Sequence, residues 1–327
     1  MKTKIRWGII GPGNIAKKFT KDLQLFEDVE IGAVASRTLE KAQKFANEFG
    51  IEKAYGSYDE LFTAQTSDVV YIATPHNFHK DLAVKAMKSG KHVLCEKPLG
   101  VSKSEIEELI KVARTNKVFL MEGLWSRFNP SIQKVKELIN MGEIGEISYV
   151  HADFAFYGLD RGEDSRLLNP NLASGSLLDI GIYPIFLAYL ILGMPNKVLA
   201  FSNFHPNGTE LQTAMIFQYS KAQAVLYSGL TSRSKMEAEI SGSTGELLIH
   251  PRWHEANSFS LLKDGEKKNF ELPMAGNGFV HEIKEVHRCL AAKKLESSLW
   301  SHQNSLDLSE LLDRVREKAA IKFPFEV

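Results

Sequence analysis

An apolar run in the first third of the chain ends in two opposite charges and a proline, in the sequence VLCEKP at residues 93–98. Proline fixes the backbone of the turn that follows such a run. A lysine partly removed from water there can bind both a ribose and a substrate hydroxyl, and its charge can lower the pKa of a neighbouring acid. Glu96 and Lys97 are therefore candidate site residues. The alternative is an ordinary Glu–Lys pair on a surface loop.

A carboxylate and a phenol stand four residues apart in the sequence GSLLDIGIYP at residues 175–184. In a helix this i, i+4 spacing brings Asp179 and Tyr183 to one face. Oxidation of an alcohol needs a base, and a phenol, whose ordinary pKa is about 10, can serve when a nearby cation lowers that pKa. The hypothesis is that Tyr183 is the acid/base, Lys97 its electrostatic partner, and Asp179 the group that holds Lys97 or the substrate hydroxyls. The alternative is a buried hydrogen-bonded pair.

The sequence GPGNIA at residues 11–16 fits G-x-G-x-x-G/A, follows an apolar run and opens a helical pattern, which is the context that a dinucleotide-binding motif requires. Gly11 would permit the tight turn and Gly13 the approach of a pyrophosphate. The amides at the helix start, at Asn14 and Ile15, would face the phosphates. The alternative is a strand–helix turn that binds no ligand.

The tip of the second apolar run, Ser36-Arg37-Thr38, indicates which dinucleotide would bind. A site for NAD usually has an acidic residue there, which bonds the ribose hydroxyls, and this tip has none. Arg37 can pair with a 2′-phosphate and stack on adenine, while Ser36 can donate a hydrogen bond. The sequence therefore predicts NADP as the cofactor, with NAD possible. The alternative is that Arg37 is a solvated residue at a helix start.

These candidates need a scaffold that brings strand ends together. Short apolar runs alternate with helical patterns through residues 1–123, which predicts a dinucleotide-binding domain with parallel strands and helices on both sheet faces. Strands are predicted at residues 5–10, 30–35, 69–73, 91–95 and 118–122. With the order 3-2-1-4-5, the first and fourth strands flank the crevice where ligands bind. The glycine turn and the Glu-Lys-Pro tip would then meet at that crevice.

The rhythm changes after residue 123, which predicts a second domain over residues 124–327. Alternation of polar and apolar residues predicts several strands between residues 147 and 272, in a mainly antiparallel sheet. Two helices, at about 279–292 and 303–320, close the chain, and the last is a candidate to pack on the first domain. The predicted fold class is α/β, with an N-terminal Rossmann domain and a C-terminal α/β domain.

Composition argues against several classes of protein. Lys and Arg together number 40 and so do Asp and Glu, so no net charge favours nucleic acid or a membrane surface. Two cysteines do not make a disulfide framework and fit a reducing compartment. Glycines break the first apolar run too early for a signal peptide, and we expect no apolar stretch near the length of a membrane span, about 20 residues. We expect a soluble, cytoplasmic protein without a metal site.

Three motifs together resemble the Gfo/Idh/MocA oxidoreductases: GPGNIA at 11–16, TPHNFH at 74–79 and GKHVLCEKP at 90–98. The resemblance covers nearly the whole chain. It implies a Rossmann domain, a second α/β domain with a large open sheet for substrate binding and dimerisation, and hydride transfer between NAD(P) and a carbon that bears a hydroxyl. It also implies that five residues surround the cofactor: Thr74, His76, His79, Glu96 and Lys97.

Tyr183 stands where much of that family carries a histidine, which argues against an inositol dehydrogenase. Because of Tyr183 and the sequence MEGLWSRF at 121–128, the chain resembles the branch that contains dimeric dihydrodiol dehydrogenase and NADP-dependent D-xylose dehydrogenase. That branch implies that Arg127 lies near the nicotinamide, that the substrate is a polyol, aldose or vicinal diol, and that a homodimer forms through the second-domain sheet. An NAD-assisted glycosidase and a catalytically silent, nucleotide-sensing regulatory protein on the same fold stay open as alternatives.

Overall fold

The computed structural model describes residues 4–326, and contacts divide the chain into two units. The first unit contains the chain up to Trp125 together with Ala275–Leu306, and the second contains Ser126–Met274 with the residues from Asp307 onward. The sequence places a boundary close to the first of these divisions, but it assigns Ala275–Leu306 to the second domain. A helical pattern alone does not reveal on which sheet a helix packs.

The first unit contains a parallel sheet of six strands in the order β3-β2-β1-β4-β5-β6, which confirms the predicted Rossmann domain. Its elements up to residue 123 are β1 (Ile5–Ile10), α1 (Asn14–Leu23), β2 (Val29–Ala35), α2 (Leu39–Phe49), β3 (Lys53–Tyr55), α3 (Tyr58–Thr63), β4 (Val69–Ile72), α4 (His79–Lys88), β5 (His92–Glu96), α5 (Lys103–Asn116) and β6 (Leu120–Gly123). Every residue of β4 is buried, as a central strand covered on both faces requires.

The strand order corrects the sequence analysis in one respect. The pattern misses β3, because three residues carry too little periodicity to be read. The strand that was third in the predicted order is therefore β4 and lies directly beside β1, and the strand that ends at Glu96 is one strand further out. The direction of winding reverses between β1 and β4. The glycine turn follows β1 and Glu96 ends β5, so β4 lies between the two.

The second unit contains a sheet of eight strands in the order β14-β13-β12-β11-β7-β10-β9-β8. Of its strand pairs, β7 with β10 is parallel and the others are antiparallel, as the sequence predicts. The elements after residue 125 are α6 (Pro130–Asn140), β7 (Ile147–Ala155), α7 (Ile182–Leu192), β8 (Lys197–Phe204), β9 (Glu210–Gln218), β10 (Gln223–Gly229), β11 (Ala238–Gly242), β12 (Gly245–Ile249), β13 (Ser258–Lys263), β14 (Glu266–Glu271), α8 (Val280–Ala291) and α9 (His302–Lys318). Of these, α8 belongs to the first unit, and α9 crosses the division at residue 306.

One helical stretch, Pro170–Leu192, is long and apolar enough by length and composition to cross a membrane. The expectation that no apolar stretch approaches this length is therefore wrong. Its most apolar window is 78% buried inside the protein, and α7, which forms its second half, packs against β7 and β10. Such burial is typical of a core helix, so the stretch is weak evidence for a membrane span.

Candidate active site

The glycine turn lies between β1 and α1, and glycine is required at its two glycine positions for different physical reasons. Gly11 has φ +80°, and a Cβ there would stand 2.7 Å from the Ala73 carbonyl oxygen, so the fold itself requires glycine. A Cβ on Gly13 would meet no atom nearer than 3.9 Å. Packing does not explain Gly13, whereas the close approach of a ligand to the first amides of α1 does.

A second observation beside this turn fits a bound dinucleotide. The Thr74 hydroxyl is buried and has no hydrogen-bond partner in the part of the chain that the structure describes. The Thr74 methyl group would stand 3.0 Å from a Cβ on Gly11, so the two residues are close neighbours. A buried hydroxyl usually finds a partner, and a ligand at the turn would supply one.

His79 joins the loops that follow β4 and β5. Its Nδ1 lies 2.7 Å from the Pro98 carbonyl oxygen and its Nε2 2.8 Å from the Thr74 carbonyl oxygen, and the ring is fully buried. Burial lowers the pKa of His79, although both carbonyl contacts favour the charged form. The buried ring of His76 lies 5.8 Å away. Since both ring nitrogens of His79 contact the backbone, its role in cofactor binding would be to hold the two loops; direct contact of either histidine with the cofactor stays a prediction.

Lys97 is half-buried at the tip of β5, next to an anchored carboxylate. The buried Glu96 side chain accepts a hydrogen bond from the Tyr71 hydroxyl on β4, and the Tyr71 ring stacks on Phe19 of α1 with a centroid distance of 3.6 Å. The Lys97–Pro98 peptide is cis. The link between Tyr71 and Glu96 fixes the residue before Lys97 to the neighbouring strand.

The segment that follows Pro98 is anchored by a second buried carboxylate, Glu122 of β6. Its Oε1 accepts from the Leu99 amide at 3.0 Å, and its Oε2 accepts from Trp300 Nε1 at 3.1 Å and from the Ser305 hydroxyl at 2.7 Å. Burial raises the pKa of Glu122, and these donors oppose that rise. The backbone on both sides of Lys97 is thus fixed, which limits the positions that its ammonium group can take.

Glu282 of α8 is a fully buried carboxyl group close to this region of the first unit. Neither of its oxygens has a hydrogen-bond partner within residues 4–326. Burial raises the pKa of Glu282 well above its ordinary value, and the nearby carboxylates of Glu96 and Asp22 raise it further. Burial and both neighbouring carboxylates therefore favour the protonated, neutral form of the Glu282 side chain.

The Glu282→Gln variant is expected to gain stability over the wild type as pH rises. Above about pH 4.3 the unfolded chain loses the proton of Glu282 that the folded protein keeps, so wild-type stability falls with pH up to the folded pKa, by at most about 1.4 kcal/mol for each pH unit. Glutamine has no proton to lose. Urea unfolding of both proteins at about pH 5 and about pH 8 measures the difference, and an advantage that does not grow between these values contradicts the assignment.

Glu285 on the same helix is the matched control. Burial alone would raise its pKa, but Arg288, at 2.6 and 2.7 Å, and the Ser297 hydroxyl, at 2.5 Å, donate hydrogen bonds that lower it overall. A lowered carboxyl pKa stabilises the fold above the unfolded value, and that stability is lost as pH falls. Glu285→Gln should therefore be less stable than the wild type at neutral pH, whereas Glu282→Gln should gain stability relative to the wild type as pH rises.

At the tip of β2, Ser36 is buried and donates its amide to the Tyr55 carbonyl oxygen at 3.2 Å, and Arg37 is exposed. The Arg37 charge acts on the Tyr58 phenol, although burial raises the pKa of Tyr58 overall. Arg37 therefore lies on the surface at the end of β2, where the sequence predicts the ribose phosphate.

Asp179 of the second unit has an ionic partner that the sequence analysis missed. Arg166 donates to both carboxylate oxygens, at 2.5 and 3.3 Å, and the Asp179 side chain is only 9% exposed. The sequence predicts that Asp179 holds Lys97 or the substrate hydroxyls, and it carries no signal for Arg166, which stands 13 residues earlier in an irregular segment. The bidentate pair fixes the carboxylate plane.

Tyr183 lies in an aromatic environment at the start of α7. Its ring is 6% exposed, with centroids 5.4 Å from His254 and 5.7 Å from Phe154. The Phe154 and His254 rings stack at 4.1 Å. These rings exclude water on the sides of the phenol that they cover. Arg127, also of the second unit, is buried.

The helix that carries both residues does not begin as a regular α-helix. Leu177–Gly181 forms a π-helical turn, and α7 continues from Ile182. The sequence predicts an ordinary helix start here, because periodicity does not distinguish the two helix types. Single π-turns are rare and often occur at functional sites.

No group of three or more His, Cys, Asp or Glu side chains is placed to hold a metal ion between residues 4 and 326.

Comparisons with known proteins identify the family. Residues 5–124 match the model for the GFO_IDH_MocA oxidoreductase family with its NAD-binding Rossmann fold, and residues 132–248 match the GFO/IDH/MocA C-terminal domain. The chain belongs to the Gfo/Idh/MocA oxidoreductase family. It is 34% identical to trans-1,2-dihydrobenzene-1,2-diol dehydrogenase of Mus musculus, over 98% of both chains, and 33% identical to the enzyme of that name from Homo sapiens, again over 98% of both.

Solved structures of Gfo/Idh/MocA type agree with this assignment. A 3-ketoreductase from Actinomadura kijaniata, crystallised with NADP, has a TM-score of 0.84 at 27% identity over 97% of this chain and 98% of that one. An aldose-aldose oxidoreductase from Caulobacter crescentus has a TM-score of 0.88 at 24% identity, with the same coverage, and supports the fold alone. The protein is thus an NAD(P)-binding oxidoreductase.

Proposed function

We propose that this family member is an NADP-preferring dehydrogenase that oxidises a CH–OH group of a vicinal diol, aldose or other polyol. The observation that carries the proposal is the match to trans-1,2-dihydrobenzene-1,2-diol dehydrogenases over 98% of the chain. The test supplies NADP⁺ or NAD⁺ with a panel of trans-diols and aldoses and follows the absorbance of reduced nicotinamide. Release of a sugar from a glycoside without net reduction of the cofactor would support a glycosidase instead, and cofactor binding without turnover on any substrate would support a regulatory protein.

In the proposed chemistry, three side chains transfer the proton, stabilise the charge and orient the substrate. Tyr183 takes the hydroxyl proton of the substrate, and Lys97 supplies the positive charge that lowers the pKa of the phenol. The Arg166 contact fixes Asp179, whose carboxylate orients substrate hydroxyls. NADP⁺ held at the glycine turn would supply the hydride acceptor for the carbon that bears this hydroxyl. The glycine turn, with the amides of Asn14 and Ile15, and the residues Thr74, His76 and Arg127 hold the two ends of the dinucleotide in this proposal.

The Arg37→Ser variant is expected to lose preference for NADP. Removal of a charge-assisted contact to a 2′-phosphate costs about 1.5–3 kcal/mol, so kcat/KM for NADP⁺ should fall by about 10- to 100-fold while that for NAD⁺ stays within about twofold. Steady-state kinetics with both cofactors at saturating substrate measures the ratio. Lys41→Ser, an exposed lysine on α2, is the control for loss of one positive charge and should change neither value. Equal losses with both cofactors would contradict the role of Arg37.

We also propose a cytoplasmic homodimer that forms through the outer face of the second-domain sheet. Leu199, Ile216 and Val225 stand side by side on β8, β9 and β10, and each is about 40% exposed. Phe201 on the same edge is 78% exposed. An apolar surface of this kind on a folded protein favours burial against a second copy. Two buried free cysteines, Cys95 and Cys289, support a reducing compartment.

The Phe201→Glu variant is expected to be a monomer at concentrations where the wild type is a dimer, because a charge would be buried in the interface. Sedimentation velocity over a range of protein concentrations measures the mass. Leu25→Glu, at a 62% exposed leucine of the first unit, is the control and should leave the mass unchanged. A wild type that stays monomeric at all concentrations excludes the dimer.

A further inference from the structure

Another buried carboxylate, Glu210 at the start of β9, lies against the segment that carries Asp179 and Tyr183. Its Oε1 accepts hydrogen bonds from the Ser176 hydroxyl at 2.6 Å and from the Thr213 hydroxyl at 2.8 Å. Its Oε2 accepts from the Leu177 amide at 2.8 Å. Glu210 is 2% exposed, and Ser176 and Thr213 are fully buried. The carboxylate therefore has donors on both oxygens, away from water.

The backbone beside Ser176 is packed so closely on Glu210 that Gly175 leaves no room for a side chain. Gly175 has φ +120°, and a Cβ there would stand 2.9 Å from both the carbonyl oxygen and Oε2 of Glu210. The Ser176 hydroxyl also lies 2.8 Å from the hydroxyl of Ser228 on β10. A Cβ on Gly181, at the end of the π-turn, would stand 2.8 Å from that same Ser228 hydroxyl. Both ends of the π-turn are thus held against the two neighbouring strands.

Glu210 satisfies the first amide of a helix whose opening turn is irregular. The N-terminal amides of a helix have no partner within the helix, and a negative charge is stabilised there. Leu177 is the first residue of the π-turn, Asp179 is two residues further on, and Tyr183 is six. Movement of the Leu177 amide would therefore move both functional side chains.

A buried carboxylate is an unfavourable way to satisfy the Leu177 amide if stability alone is required, because burial of its charge costs free energy. Burial raises the pKa of Glu210, which reflects the cost of keeping the charge out of water, and the bonds from Ser176, Leu177 and Thr213 oppose that rise. Buried charges are often replaceable by apolar residues without loss of stability. The three donors, arranged around one side chain, instead specify one position for the helix start.

We propose that Glu210 is a positioning residue that sets the place of Tyr183 and Asp179 for the reaction by fixing the Leu177 amide and the Ser176 hydroxyl. This inference rests on the proposed dehydrogenase function. It adds a role for a residue that contacts neither reacting group. Glutamine at this position has the same shape, but one of its terminal atoms is a donor, so it would face the Leu177 amide or the two hydroxyls with a donor.

The test is a double-mutant cycle on the full chain with NADP⁺ and the best diol or aldose substrate. It compares the wild type, Glu210→Gln, Tyr183→Phe and the double variant. If Glu210 acts by positioning Tyr183 and Asp179, Glu210→Gln lowers kcat by about 10- to 100-fold in the wild type and by a clearly smaller factor, through Asp179 alone, in the Tyr183→Phe background. The Kd for NADPH, from fluorescence titration, should change by less than about twofold in all four proteins.

A merely structural role predicts a different result. Glu210→Gln would then lower the fraction of folded protein equally in both backgrounds, so the losses of turnover would multiply. Phe259→Leu, at a fully buried residue of β13, is the control for general destabilisation and should lower the melting temperature but leave kcat per folded molecule unchanged. Multiplied losses, or full turnover in Glu210→Gln, would overturn the positioning role while the proposed function stands.

If Glu210→Gln does not fold, Ser176→Ala takes its place in the same cycle, because it removes one of the three donors and leaves the carboxylate paired with Leu177 and Thr213. The expected pattern is the same with a smaller first loss, of about 3- to 10-fold, and independent losses again overturn the inference. Wild-type turnover in Tyr183→Phe itself would be a failure of the proposed mechanism, and the positioning role would fall with it.

Discussion

Replacement of Tyr183 by phenylalanine is expected to lower kcat for substrate oxidation by about 10²- to 10⁴-fold, the range that one general acid/base supplies. The ring packing should be kept, because phenylalanine retains the ring that lies 5.7 Å from Phe154 and 5.4 Å from His254, centroid to centroid. The Kd for NADPH should stay within about twofold, because the variant removes a proton acceptor and not a contact that the dinucleotide needs. Steady-state kinetics and fluorescence titration measure the two quantities.

The same helix offers a matched control. Tyr189 of α7 is also nearly buried, and its hydroxyl donates to Asp307 at 2.7 Å. Tyr189→Phe removes one phenolic oxygen from the same element and should cost about 1–3 kcal/mol of stability while kcat stays near the wild-type value. If both variants slow turnover equally, the effect belongs to the helix and not to the acid/base role of Tyr183.

The sequence predicts the first unit well because its signals are local. The glycine turn is a run of six residues that predicts a strand, a turn and a helix because it stands between an apolar run and a helical pattern, and Gly11 has the positive φ that this turn requires. Continuous apolar runs such as β4 and β5 mark buried parallel strands in the same way. The missed strand β3 has three residues, of which Lys53 is exposed, and so it carries neither signal.

The residues that support the candidate site escape sequence reasoning because their partners are distant along the chain. Arg166 reaches Asp179 from an irregular segment, and Glu210 reaches Leu177 across 33 residues. Glu282 and Glu285 belong to one helical pattern, yet one lacks a hydrogen-bond partner in the described part of the chain and the other pairs with Arg288. The spacing of Glu285 and Arg288 predicts their pair, but only the packing of α8 in the first unit reveals that Glu282 is buried.

Replacement of Lys97 by methionine is expected to lower kcat by about 10²- to 10³-fold, the loss that follows removal of one electrostatic group from an active site. Methionine keeps most of the length of the side chain without its charge, and the anchors at Glu96 and Leu99 should preserve the backbone. The control is Lys85→Met, which breaks an exposed ion pair with Asp59 at 2.9 Å and should leave kcat unchanged.

The pH profile distinguishes two roles for that charge. If Lys97 lowers the pKa of the Tyr183 phenol, the residual activity of Lys97→Met should rise only at higher pH, toward the ordinary phenol value near 10. If Lys97 only binds the substrate hydroxyl, KM should rise and the profile should keep its wild-type position. The two variants together decide the mechanism: in the Tyr183→Phe background, Lys97→Met should leave no alkaline rise at all, because the group that titrates is gone.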